Sequence, residues 1–247
     1  ISLYINSTSG KTNSDLTDVF DEFPSIYSDY GDDFTGTNGD VPDIGKWSIK
    51  NGSSQVSIQS NRLDFGNSDA WIWMTQNAWI SGDFDVQIDY EVTSPSSDDG
   101  WMMDLSVVFA NGDQIYSSRE CNGSGQEYAM NTWISESWTV VNSDLTSDTS
   151  GKLRVTRTTN TIYCYYWNGS SWTELGNVNY GSAPDIYIAL ETDVWGVLNV
   201  DGSWNNFTMN SADTIKGTKS LGRKKIAITS SDGTTQLPVE IEEFNCY

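Results

Sequence analysis

The sequence predicts an all-β chain: a two-sheet antiparallel sandwich with a small terminal β element. Three observations carry this. Apolar and polar residues alternate with period 2 through most of the chain. Asn-Gly and Asp-Gly turns separate the alternating runs. Apolar stripes at helical spacing are almost absent, the exception being Leu16, Val19, Phe20 and Phe23, which follow a capping candidate in Ser14.

In chain order, residues 2–6 form a short strand and residues 14–23 the helix candidate. Trp71 and Trp73 share one strand face. From 83 to 93 the alternation is nearly perfect. Phe84, Val86, Ile88, Tyr90 and Val92 point to a core, and Asp83, Asp85, Asp89 and Glu91 form a solvated acidic outer face. Trp101, Met103, Leu105, Val107 and Phe109 repeat the pattern up to the Asn111-Gly112 turn. Strands follow over 153–157, 162–167, 172–175, 186–191 and 206–209. Residues 224–228 and 237–241 flank Ser231-Asp232-Gly233 as a terminal hairpin. This gives three segments: an N-terminal strand and helix (1–28), the sandwich (29–212) and a C-terminal hairpin segment (213–247). Each end is too short for a core of its own. The two either complete a small domain together or dock on a neighbouring copy of the chain.

The 247 residues are enough to bury a large core without disulfides. A net charge of −21 repels phosphate backbones and anionic lipid, which argues against nucleic-acid partners. No apolar run approaches the roughly 18 residues of a membrane helix, so no membrane insertion is expected. The chain has no histidine, which excludes Ser-His-Asp and Cys-His catalysis and leaves carboxylate chemistry to any enzyme. Opening on Ile1 without a leader-like stretch, it reads as a processed or trimmed product.

Several groups of residues could bind. Asp32, Asp33, Asn38, Asp40 and Asp43 crowd a Gly-rich loop, and hard oxygen ligands at irregular loop spacing suit Ca²⁺. The same residues also serve turns for backbone reasons. Of the eleven tryptophans, Trp71, Trp73, Trp133 and Trp138 are the better exposed candidates for stacking on sugar rings. Trp133 and Trp138 flank a loop-like stretch. Arg154 and Arg157 are expected to offset neighbouring carboxylates. Cys164 falls in step with Ile162 and Tyr166 as a buried thiol, whereas Cys121 and Cys246 could pair. Five Asn-x-Ser/Thr sequons (Asn6, Asn51, Asn122, Asn168 and Asn206) suit surface loops of an exported glycoprotein.

Over residues 29–212 the chain resembles a concanavalin A-like (laminin G-like) jelly roll. The resemblance lies in Asp32-Asp33-Phe34 followed by Lys46-Trp47, and in Gly82-Asp83-Phe84-Asp85-Val86. It continues in the hairpin from Leu153 through Tyr165-Tyr166-Trp167-Asn168-Gly169 to Trp172, and in the closing Trp204-Asn205-Asn206-Phe207. The two ends resemble halves of a small β-rich domain found beside such jelly rolls in large surface and phage or environmental structural proteins. The jelly-roll resemblance implies two facing sheets, often one Ca²⁺, and frequently glycan binding. Since its opening and closing strands are neighbours, it adds Asp201 to the candidate Ca²⁺ ligands. Laminarinase-like members carry Glu-x-Asp-x-x-Glu on one strand face. Here the nearest match, Glu191-Thr192-Asp193, ends at Gly196, so the second catalytic carboxylate is missing. The expectation is therefore a non-enzymatic, extracellular structural or adhesive module of a cell surface, filament or virion. It would contact copies of itself through its ends and bind glycans. The rival is a glycoside hydrolase.

Overall fold

The computed structural model describes residues 30–68, 71–93, 100–123, 125–195 and 200–217. All of these belong to one compact unit, Ser25–Lys219; the expected terminal strand, helix and hairpin, and Cys246, lie outside them. The described residues form fourteen strands and no helix. They are β1 (Trp47–Asn51), β2 (Ser57–Gln59), β3 (Arg62–Ser68), β4 (Ile72–Gln76), β5 (Ala78–Thr93), β6 (Trp101–Phe109) and β7 (Gln114–Asn122). Then come β8 (Gly125–Ile134), β9 (Ser137–Leu145), β10 (Ser150–Thr158), β11 (Thr161–Trp167), β12 (Trp172–Asn179), β13 (Ile186–Val194) and β14 (Val200–Gly217).

Every pairing is antiparallel. The first sheet runs β1-β4-β13-β6-β7-β8-β9 and the second β2-β3-β14-β5-β10-β11-β12, joined where Ile186 of β13 meets Ile80 of β5. Alternation fixes the faces. Leu105, Val107, Ile188 and Leu190 of the first sheet and Val86, Ile88, Leu153 and Val155 of the second belong to one buried core. Trp47 packs edge-on against Phe207 at 5.2 Å and gives its indole N–H to Asp32, whose backbone pairs with Phe207. The opening segment is thus clasped onto the closing strand.

The strands predicted between residues 83 and 209 are present, and β5 and β14 are longer than expected. The structure adds β7, β8 and β9. The stretch read as a loop between Trp133 and Trp138 is a tight hairpin turn, with positive φ at Ser135 (52°) and Glu136 (60°) and Trp133 directly opposite Trp138. Cys164 is buried and gives its thiol to the Tyr116 carbonyl; burial pushes that thiol's pKa up. Arg154 does hold a carboxylate, Asp85. Arg157 is buried and donates to the carbonyls of Gly82 and Pro184, with the charges of Asp83, Asp185 and Asp213 close to it. Its strand parity turns its side chain away from the acidic face.

Candidate functional site

The register of the first sheet brings the candidates together. Glu191 of β13 stands opposite Trp73 of β4 on one side and Asp104 of β6 on the other. Asp104 in turn faces Ser118 of β7, and Ser118 faces Ala129 of β8. Neighbouring rows on this face, turned away from the core, run Ala189–Ser106–Tyr116–Asn131 and Asp193–Met102–Glu120–Glu127. A further row holds Tyr187, Val108, Gln114, Trp133 and Trp138. All four tryptophans singled out from the sequence therefore belong to one sheet face. Trp71 and Trp73 stack at 5.4 Å and 14° at the β4 side. Trp133 and Trp138 lie at the β8–β9 side, where Trp138 touches Tyr116 at 5.1 Å. Four strand spacings separate β4 from β8, about 19 Å. Trp71 and Trp138 are 41% and 42% exposed.

Between them the floor is acidic and closed to water. Glu191 is 4% exposed, its carboxylate accepting hydrogen bonds from the Ser106 hydroxyl (2.6 Å) and the Trp71 indole N–H (3.3 Å). Burial, with Asp193 adding repulsion, raises its pKa to about 7. Asp104, 1% exposed, is held well above the ordinary carboxylate range by burial and by the nearby charge of Glu191. One Asp104 oxygen has no hydrogen-bond partner, nor does the Trp73 indole N–H or the Asn131 amide oxygen. Glu120, opposite Glu127, is raised to about 7 by burial although Asn122 and Asn131 donate to it. Asp193 is raised by burial. The face thus buries carboxyl groups of raised pKa between two aromatic platforms.

Asp104, Ser106, Tyr116, Glu120 and Asn131 were not anticipated. Their signal was the polar alternate positions of β6 and β7, whose neighbours only the register reveals. The sequon Asn122 is part-buried and committed to Glu120 and Glu127, whereas Asn51, Asn168 and Asn206 are exposed.

The calcium candidates are not brought together. Asp32 caps the Phe34 N–H, Asp33 the Thr35 N–H, Asp40 the Thr37 N–H and Asp43 the Gly45 N–H, while Asn38 accepts from the Ser60 N–H. Local turn geometry explains these residues. Asp201 pairs opposite Thr93, six residues from Phe207, which meets Asp32. At about 3.3 Å per residue that is roughly 20 Å along the strand. Among the described residues no group of three or more Asp, Glu or Cys is placed to hold a metal.

No protein-family model matches the chain, and neither does any curated protein. Solved structures do. One is an immunostimulatory antigen and pseudo beta-1,3-glucanase of Mycobacterium tuberculosis, 11% identical, covering 76% of this chain and 98% of that one, TM-score 0.58. Another is a mutant of the glycoside hydrolase family 43 protein BlXynB from Bacillus licheniformis, 10% identical, covering 76% of this chain and 39% of that one, TM-score 0.56. This chain thus spans well under half of the Bacillus protein. A third is the CBM2 module of the Lactobacillus casei BL23 phage J-1 evolved Dit, 10% identical, covering 74% and 95%, TM-score 0.54. At such identities the likeness is one of fold: the chain is an all-β, antiparallel sandwich of the kind these proteins share.

Proposed function

We propose that this sandwich, of concanavalin A-like kinship, is a non-catalytic glycan-binding module of an exported surface, filament or virion assembly. A glycan chain would lie across the outer face of the first sheet. The observation that carries this is the placement of Trp71/Trp73 and Trp133/Trp138 at opposite sides of one polar sheet face. Exposed indole faces stack on the apolar face of a sugar ring at small entropy cost. The amides and carboxyls between them are closed to solvent, so the exposed indoles of Trp71, Trp133 and Trp138 carry the contact. Further support comes from the carbohydrate-related names of the sandwich's neighbours, one of them a phage module. A glycan array probed with the wild type and with Trp71→Ala/Trp73→Ala tests this. Binding that the double variant loses is expected; wild-type silence, or undiminished variant binding, rejects it.

One observation favours a second reading, glycoside hydrolysis. Glu191 and Asp104 face each other directly, with Cβ atoms roughly 5 Å apart by sheet geometry, and their pKa values are raised. Against it, both carboxyls are nearly closed to solvent, and the motif's last position is Gly196. Turnover of an array-positive glycan that Glu191→Gln and Asp104→Asn both abolish would establish hydrolysis.

A further inference from the structure

The solvent face of the second sheet carries an aromatic run that the core does not use. On β11 the even positions Ile162 and Cys164 are buried, whereas Tyr163, Tyr165 and Trp167 face outward and stay half-exposed. Tyr163 and Tyr165 stack at 6.4 Å, and Trp167 meets Trp172 of β12 edge-to-face at 5.4 Å. Arg154 holds two of these rings, Tyr165 and Trp172. Its guanidinium grips both oxygens of Asp85 (2.8 and 2.6 Å) and sits 5.6 Å from the Tyr165 ring centre and 5.4 Å from that of Trp172. The platform is thus held in place before anything binds.

Beside Trp167 opens a pocket of about 300 Å³, also lined by Arg62, Asp89, Glu91, Ser150 and Lys152. Its charges are already matched: Arg62 pairs with Glu91 at 3.4 Å and Lys152 with Asp89 at 2.8 Å. Asn206 also donates to Asp89, at 2.9 Å. The lining's own two cations and two carboxylates are thus paired, while Asp64 and Asp201 add negative charge near Glu91, so no free cation calls for an anion. The pocket presents paired donors and acceptors at the edge of a flat aromatic surface. Vicinal hydroxyls, each both donor and acceptor, match that chemistry, and a pyranose ring matches the indole face.

We propose that this pocket, with Trp167, Tyr165 and Trp172, is a second saccharide-binding site, for neutral sugars. It lies on the sheet opposite the first-sheet tryptophans and stands independently of the function proposed for them. Two sites on one module would let it engage two chains, or one chain twice, with avidity beyond either site.

The test uses the full chain and the indole N–H signals of its eleven tryptophans, assigned by single Trp→Phe substitutions. It is titrated with laminarihexaose, cellohexaose and xylohexaose, and with hexagalacturonate and a chitosan hexamer as charged controls. At least one neutral probe is expected to shift Trp167 and Trp172 with a dissociation constant no weaker than about 10 mM. Trp167→Ala should weaken this about tenfold or more, and Trp167→Phe should retain most of it, both leaving the Trp71 and Trp73 signals in place. No shift at Trp167 or Trp172 with any neutral probe, a response confined to the charged probes, or binding indifferent to Trp167→Ala overturns the proposal. Shifts at Trp71 or Trp138 alone would support the first-sheet face and reject this one.

Discussion

Replacing Glu191 by glutamine asks what the closed acidic floor costs the fold. The carboxyl has a pKa of about 7 in the folded chain against an ordinary value of 4.5, because burial disfavours its charged form. Below the ordinary value both the folded and unfolded chains hold the proton, and stability is complete. As pH rises from 4.5 to 7 the unfolded chain ionises first, so the folded state binds more protons and stability falls. At 1.36 kcal/mol per pKa unit the loss is about 3 kcal/mol by pH 8. Glutamine cannot ionise and keeps both contacts. Its carbonyl accepts the Trp71 N–H, and its amide donates to the Ser106 hydroxyl. Glu191→Gln should therefore match the wild type at pH 4 and exceed it by up to about 3 kcal/mol at pH 8. Glu120, also raised to about 7, leaves part of the slope in the variant. Urea unfolding followed by tryptophan fluorescence at several pH values reads the difference as a shift in midpoint at constant slope. Repulsion among the chain's other carboxylates is common to both proteins and drops out of the comparison. A variant equally destabilised at both pH values, or a wild type that gains stability from pH 5 to 8, refutes the reasoning.

Arg119 lies fully buried on the core side of β7 and donates to the carbonyls of Glu120, Glu127 and Asp148 and to Gln126. Arg119→Met strands these acceptors and should cost about 3–5 kcal/mol in urea unfolding, with Arg119→Lys a poor rescue. Gly151→Ala places a Cβ 2.9 Å from the hydroxyls of Tyr128 and Tyr90, which share a 2.6 Å hydrogen bond. A loss of about 1–3 kcal/mol is expected, and unchanged stability would show that the tyrosines yield freely. Chelation with EDTA should leave the melting temperature unchanged, since the oxygens of residues 32–43 serve turn amides. A fall that Asp40→Asn and Asp43→Asn both abolish would return calcium to that loop.

β5 was legible because one face is apolar and the other polar, so period 2 shows directly. The strands β7 and β8 were not. Arg119, Ser117 and Glu120 are polar yet buried, which erases the alternation. The exposed tryptophans were legible as surface residues, but not as neighbours; their common face follows from strand order and register, which the linear sequence does not carry. Asp104 hid inside an apolar run, and its meaning depends on Glu191, 87 positions later and directly across a strand pair. The aspartates of residues 32–43 were ambiguous for a plain reason: Asp serves tight turns and calcium equally well, and spacing alone does not separate the two.

The central claim is that glycan lies across the outer face of the first sheet. A crystal structure of the chain with the oligosaccharide that binds best on the array tests it most directly. Sugar rings are predicted over Trp71 and Trp73 and toward Trp138, with the ligand intact. A ligand bound only elsewhere on the molecule would contradict the claim, and cleavage products beside Glu191 and Asp104 would contradict its non-catalytic part.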